Sequence, residues 1–88
     1  MELRTLYYFT VTAQEKNITR AAEMLNMCQP PLSRQIRNLE DELGVPLFIR
    51  GKRHLDLTPE GEVLLHRARQ ILELEKKAVQ EIMSMCSS

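Results

Sequence analysis

The spacing of apolar residues predicts that the chain begins with two amphipathic helices. The first is indicated over about residues 2–15 by apolar side chains at helical intervals, namely Leu3, Leu6, Phe9 and Ala13. The second is shorter and is indicated by Ile18, Ala21, Ala22 and Leu25. Asn17 interrupts the first helix, and either Asn17 or Thr19 is placed to cap the second. Asn26 tolerates the left-handed backbone conformation, so it is expected to turn the chain after the second helix.

A third helix is expected to start near Pro31. Pro31 disfavours a helical Pro30, and its own fixed φ angle suits a first helical position. Gly44 is expected to end this helix. The apolar residues of the helix lie on one stripe, which is expected to be buried: Leu32, Ile36, Leu39 and Leu43. The tight turn between the second and third helices, with adjacent alanines that permit close approach, indicates a helix-turn-helix.

Two short strands and a long helix are predicted to follow. Residues 47–50 and 55–57 have the composition of strands, and residues 51–54 contain the glycine and charges of a turn, so the segment is predicted to form a hairpin, or wing. Thr58 before Pro59 supplies a helix start, and helical spacing then continues to about Met85.

The predicted fold is therefore mostly α. Residues 1–58 are expected to form a winged helix-turn-helix of three helices and a two-stranded wing, and residues 59–88 a long linker helix. This helix has more apolar surface than a three-helix core can cover, so we expect it to pair with a partner. The alternative, a helix folded back on its own domain, explains only its first turns. The candidate pairing residues are Leu64, Ala68, Ile71, Leu72, Val79 and Ile82.

Composition narrows the class of protein. The 88 residues, 43% of them hydrophobic, suffice for one small domain. No apolar run approaches the ~20 residues of a membrane-spanning helix, and the chain opens without a secretory signal pattern, so we expect a cytoplasmic protein that has no membrane contact. The two histidines and two cysteines have neither metal-ligand spacing nor the arrangement of a catalytic site, so no enzyme, metal or cofactor is predicted: His54, His66, Cys28 and Cys86.

Charge is balanced over the whole chain but segregated along it. The 12 Lys and Arg equal the 12 Asp and Glu, so the basic excess typical of nucleic-acid binding is absent. Residues 26–39, however, contain two arginines and no acid, and residues 44–55 contain three cations and no acid. Any surface that contacts DNA is therefore expected before residue 59.

Several motifs resemble the N-terminal domain of LysR-type transcriptional regulators. They are LRTLYYF, ITRAAEMLNMCQPPLSRQIRNLEDELG, GVPLFIR and LTPEG, and together with the long helix they span nearly the whole chain. The resemblance implies sequence-specific binding of a double-stranded DNA operator, with the third helix in the major groove and the wing on the flanking backbone or minor groove. It also implies a bacterial homodimer joined through antiparallel long helices.

The sequence departs from the family pattern in two ways. Four positions differ in residue type, which concerns packing and helix entry: Thr12, Ile18, Pro31 and Glu60. The sequence also stops at Ser88, before the effector-binding domain of the family, so oligomers larger than a dimer are expected only with that domain.

The start of the second helix, the third helix and the wing supply the candidate DNA contacts. The predicted set is Thr19, Gln29, Pro30, Pro31, Ser33, Arg34, Arg37, Asn38, Arg50, Lys52 and Arg53. Arg34 lies opposite the buried stripe, where it is suited to contact a guanine edge or a phosphate. The acids at positions 40–42 would repel phosphates, so only the N-terminal half of the helix is expected to enter the groove.

Each assignment has a simpler alternative. Arg34 is otherwise a solvated surface arginine, Arg37 the partner of Asp41 one turn on, and Thr19 a helix cap. The segment 29–33 is otherwise a capped turn, and the wing cations a polar hairpin tip. Two alternative functions also remain: a winged helix used only for protein assembly, and a nucleic-acid binder without sequence preference.

Overall fold

The structure is a computed structural model that describes residues 1–51 and 54–86. These residues form α1 (Leu3–Glu15), α2 (Ile18–Met24), α3 (Gln29–Leu43), β1 (Phe48–Arg50), β2 (Leu55–Leu57) and α4 (Pro59–Cys86). The predicted winged helix-turn-helix followed by a long helix is thus confirmed. In the described residues, no helix is long and apolar enough to cross a membrane.

The turn between α1 and α2 is built from two residues with different tasks. α1 ends at Lys16, which adopts the left-handed conformation with φ of 56° and donates its N–H to the carbonyl of Thr12. Asn17 is the N-cap of α2, and its side chain accepts the N–H of Arg20 at 3.0 Å. Of the two predicted caps, Asn17 is therefore confirmed and Thr19 is free for another contact. Asn26 has the predicted left-handed conformation, with φ of 54°.

α3 begins two residues earlier than the sequence suggested. Its first residue is Gln29 and its N-cap is Cys28, so both Pro30 and Pro31 lie in the first turn, and the predicted start near Pro31 is wrong. The first four N–H groups of a helix have no partner within the helix, so two prolines in this turn remove no helical hydrogen bond. Because the helix loses no hydrogen bond there, the preference of a residue before proline for extended backbone does not keep Pro30 out of the helix.

The core lies between the first three helices and the base of the wing. Its largest fully buried side chains are Phe9, Thr12, Leu32, Ile36, Leu39 and Leu47. The Phe9 and Phe48 rings pack in a tilted pair with centroids 5.4 Å apart. Ala21 and Ala22 are buried, as close approach of α2 requires. The predicted burial of Leu43 is wrong: it is 40% exposed, because α3 ends at this residue.

The wing is held to the helices at its base. β1 and β2 are antiparallel, with Phe48 opposite Leu57 and Arg50 opposite Leu55. The N–H of Leu55 donates to the carbonyl of Lys16 at 2.8 Å, which attaches β2 to the turn between α1 and α2. The predicted wing cations Lys52 and Arg53 lie outside the described residues.

α4 starts as predicted and packs on the domain over its first half. The hydroxyl of Thr58 accepts the N–H of Gly61 at 3.0 Å and donates to the carbonyl of Pro46 at 2.8 Å. Ala68 is completely buried in the core formed by the other elements. Residues 73–86 are all exposed, so the second half of this 28-residue helix extends beyond the domain.

Candidate nucleic-acid interface

The outer face of α3 presents polar and cationic side chains to solvent. Leu32, Ile36 and Leu39 bury the inner face of the helix against the core. Ser33 is half-buried, and the remaining predicted contacts of this helix are exposed: Gln29, Pro30, Pro31, Arg34, Arg37 and Asn38. The helical periodicity thus puts the predicted residues on one accessible surface.

The beginnings of α2 and α3 are joined at this surface. The side-chain amide of Gln29 donates a hydrogen bond to the hydroxyl of Thr19, and both side chains are exposed. Because Asn17 caps α2, the hydroxyl of Thr19 is not used as a cap. The structure therefore brings two predicted DNA contacts together across the turn of the helix-turn-helix.

Arg34 and Arg37 are not neutralised by neighbouring acids. Within the described ranges, neither guanidinium lies within ion-pair distance of a carboxylate. The alternative in which Asp41 pairs with Arg37 is therefore not formed, and both arginines present full positive charge at the outer face of α3.

Two acidic residues near the end of α3, Glu40 and Asp41, face different parts of the molecule. Asp41 is exposed on the same outer face as Arg34, so it places a negative charge where the C-terminal half of the helix would meet a phosphate. Glu40 instead points toward the wing, with a side chain that is only 12% exposed. The helix is thus suited to approach DNA by its N-terminal half.

Arg50 has an intramolecular partner that the sequence did not suggest. Its Nη2 atom donates to Oε1 of Glu40 at 2.9 Å, while the arginine side chain remains 46% exposed. The predicted DNA contact of Arg50 therefore competes with an ion pair inside the domain. Helical spacing places Glu40 on the flank of the buried stripe, four residues after Ile36, and Asp41 opposite it, but spacing alone does not identify the wing as the partner of Glu40.

The apolar face of α4 is divided between the core and solvent. Ala68 is 0% exposed, so its side chain cannot reach a second chain, which corrects its assignment as a pairing residue. Leu64 and Ile71 are half-buried and pack on the core, and Leu72 is half-buried. Val79 and Ile82 are 53% and 61% exposed.

A second exposed apolar line runs along α4. Val63, Leu74 and Met85 are 66%, 65% and 74% exposed and follow one another at intervals of 11 residues, which is close to three helical turns. These three residues are not among the predicted pairing residues, although their 11-residue spacing is a signal visible in the sequence. Both sets are accessible to solvent in the single chain.

The described residues contain no group of three or more His, Cys, Asp or Glu that could hold a metal ion. Cys28 and Cys86 are both exposed free thiols. The interface therefore consists of hydrogen-bonding groups, positive charge and apolar surface.

A family model and similar curated proteins indicate the same family of regulators. The family described as "Bacterial regulatory helix-turn-helix protein, lysR family" matches residues 3–62. The chain is 52% identical over 86 residues to the HTH-type transcriptional regulator BsdA of Bacillus subtilis, covering 97% of this chain and 30% of that protein. It is 54% identical over 78 residues to the Hca operon transcriptional activator HcaR of Escherichia coli, covering 89% and 26%. The chain thus spans less than a third of the length of these relatives.

Solved structures show the same fold. The DNA-binding domain of BenM, in a complex with catB site 1 DNA, superposes with a TM-score of 0.96 at 43% identity, covering 100% of this chain and 98% of that one. The CbnR DNA-binding domain in a DNA complex superposes with a TM-score of 0.91 at 40% identity, covering 98% and 99%.

Proposed function

We propose that this chain, which belongs to the LysR family of bacterial helix-turn-helix regulators, binds a specific double-stranded DNA operator as a homodimer and thereby regulates transcription. The single observation that carries the proposal is the outer face of α3. Exposed hydrogen-bonding groups lie there with two arginines that pair with no acid of the described residues, on the helix that a helix-turn-helix places in the major groove.

The proposal assigns different tasks to the residues of this face. Arg34 contacts a base edge, since its planar guanidinium can donate two hydrogen bonds to guanine. Gln29, Pro30, Pro31 and Ser33 contact the DNA around the start of α3, and Thr19 contacts a phosphate or holds Gln29 in place. Arg37 and Asn38 contact the backbone near the edge of the groove.

The wing supplies the flanking contacts. Lys52 and Arg53 are proposed to bind phosphates or the minor groove next to the site of α3, because both follow β1 in a segment of the sequence without acids. Arg50 is left out of this set because it already pairs with Glu40.

Dimerisation is proposed to involve α4. Its second half carries exposed apolar residues that the domain itself does not cover, Val79 and Ile82 among them. Antiparallel pairing with the same helix of a second chain would bury them and fix the separation of the two α3 helices, which suits half-sites one DNA turn apart, roughly 34–36 Å. Leu64, Ile71 and Leu72 contribute only their exposed parts. Larger assemblies would require the further domain of full-length relatives.

The function proposed for the chain is regulatory rather than enzymatic, and its place of action is the cytoplasm, where bacterial DNA is found. Double-stranded DNA and a second copy of the chain are its partners, with no cofactor and no membrane contact.

Selection of bound DNA from a random double-stranded pool tests the proposal. We expect enrichment of one palindromic motif and an affinity that falls steeply as salt rises. A winged helix used only for protein assembly would retain no DNA. A nonspecific binder would retain DNA without enriching a motif, and either result would overturn the proposal.

A further inference from the structure

We infer that Glu40 is a positioning residue that fixes the wing relative to α3, and that Arg50 belongs to this clamp rather than to the phosphate contacts. The Glu40 clamp comprises the Glu40 carboxylate, the Arg50 guanidinium and the backbone N–H groups of Leu47 and Phe48. The inference rests on the proposed function, since positioning is measured on bound DNA.

Both oxygens of the Glu40 carboxylate are occupied. Oε2 accepts the N–H of Leu47 at 2.7 Å and that of Phe48 at 3.3 Å, and Oε1 accepts Nη2 of Arg50 at 2.9 Å. Three donors from one strand segment therefore converge on one carboxylate of α3. Hydrogen bonds to an ionised acceptor are roughly twice as strong as neutral ones, so this contact restricts the orientation of β1.

The clamp joins elements that no other hydrogen bond of the described residues connects. Between α3 and residues 47–50, every such bond ends on the Glu40 side chain. β2 is attached elsewhere, through the bond from Leu55 to Lys16. Loss of the clamp would thus leave β1 held by the burial of Leu47 and Phe48 but without a hydrogen bond that fixes its orientation relative to α3.

The charges of the clamp cancel. Glu40 is mostly buried, so an unpaired carboxylate there would be costly, and Arg50 supplies the neutralising charge. For the same reason Arg50 offers little net attraction to a phosphate. Its task is to orient the wing, and the sequence positions that follow it are left to contact the DNA.

The test is hydroxyl-radical footprinting on the selected operator, which separates the centre of a half-site, covered by α3, from its flank, covered by the wing. Glu40→Gln keeps the side-chain size and removes the charge, and Arg50→Met removes the cation. Glu73→Gln is the matched control, because it makes the same substitution at an exposed residue of α4 that has no part in the clamp or in the outer face of α3.

We expect Glu40→Gln and Arg50→Met each to reduce the ratio of flank to centre protection about twofold or more. A twofold change corresponds to the weakest coupling expected between residues of one contact network. The double variant should lower this ratio no further than the single variant with the larger effect, because both residues belong to one clamp. The sequence preference of the centre should persist, and Glu73→Gln should leave the ratio unchanged. An even loss of protection, as a purely structural role gives, would contradict the inference.

Opposite effects of the two variants would also overturn it. If Arg50 is a phosphate ligand, Glu40→Gln frees it and tightens binding, while Arg50→Met weakens binding. Circular dichroism verifies folding, and Glu40→Asp replaces Glu40→Gln if the latter is unfolded, because it shortens the reach of the carboxylate toward Arg50 and keeps the charge. Absence of binding by the unaltered chain would instead refute the proposed function, so the two failures are distinguishable.

Discussion

The side chains of Thr19 and Gln29 are joined by a hydrogen bond across the turn of the helix-turn-helix, although the residues are ten positions apart in sequence. One lies in the first turn of α2 and the other is the first residue of α3. The bond orients the glutamine amide at the exposed start of the helix that is proposed to enter the groove. Asn17, two residues before Thr19, has the separate task of capping α2.

Thr19→Val should lower DNA affinity without lowering stability. Valine keeps the shape of threonine and removes the hydroxyl that holds Gln29, which is worth about 0.5–1.5 kcal/mol of binding. Asn17→Ala is the control, since loss of a cap should reduce the free energy of unfolding by about 1 kcal/mol. Urea denaturation and binding titrations separate the two effects. Unchanged affinity in Thr19→Val would remove this residue from the interface.

Arg34→Ala should weaken discrimination between operator and unrelated DNA. A two-bond contact to guanine contributes about 1–3 kcal/mol to the choice of base, and alanine removes both bonds. Competition titrations with operator and mismatched duplexes measure the change. Arg69→Ala, on the exposed surface of α4, is expected to leave the ratio of affinities as it is. A variant of Arg34 that retained the full ratio would assign base contact to another residue.

Lys52→Ala should reduce the salt dependence of binding and leave sequence preference intact. A phosphate contact contributes about one unit to the slope of log affinity against log salt concentration, whichever bases lie nearby. Lys76→Ala provides a comparison on the exposed half of α4. Equal slopes for Lys52→Ala and the unaltered chain would place Lys52 away from the DNA.

Ile82→Glu should convert dimers to monomers in sedimentation experiments. Ile82 is 61% exposed in the single chain, so a charge there is tolerated by the fold but opposes apolar pairing. Ile71→Glu would be a poor test because Ile71 packs on the core of its own domain. Gln80→Glu introduces the same charge nearby and should retain the dimer. Persistence of dimers in Ile82→Glu would locate the interface elsewhere, for instance on Val63, Leu74 and Met85.

Gly61→Ala should be more destabilising than Gly44→Ala. A Cβ atom at Gly61 would lie 2.2 Å from the carbonyl oxygen of Leu47, so α4 must move, at a cost near the upper end of about 1–3 kcal/mol. Gly44 has open space around it but a φ of 74°, which costs alanine about 1–2 kcal/mol. Urea denaturation ranks the two variants. The reverse order would show that backbone strain matters more than the close approach of α4.

Local periodicity was sufficient to predict the elements but not their neighbours. The buried face of α3 is indicated by the spacing of Leu32, Ile36 and Leu39, because apolar residues on one face of a helix recur every three or four positions. Ala68 shows the limit: an apolar residue on a stripe has the same signature whether its own domain or a second chain covers it. Glu40 shows another, since a contact with residues seven to ten positions away leaves no local pattern.

The start of α3 was misplaced for a related reason. The preference of a residue before proline for extended backbone concerns that residue alone, whereas the hydrogen bonds of the whole first turn decide where the helix begins. Candidate DNA contacts were easier to place on a surface, because the outer face of α3 is fixed once its buried stripe is known.

The burial of Ala68 has a consequence for anyone who exchanges domains between regulators. The proposed DNA contacts end with the wing, but a cut there would remove α4, which covers one side of the core. A chimaera joined at residue 58 would therefore contain the proposed DNA contacts but lack the part of α4 that covers the core. A junction placed after Leu72, where α4 leaves the domain, would preserve the transferable unit.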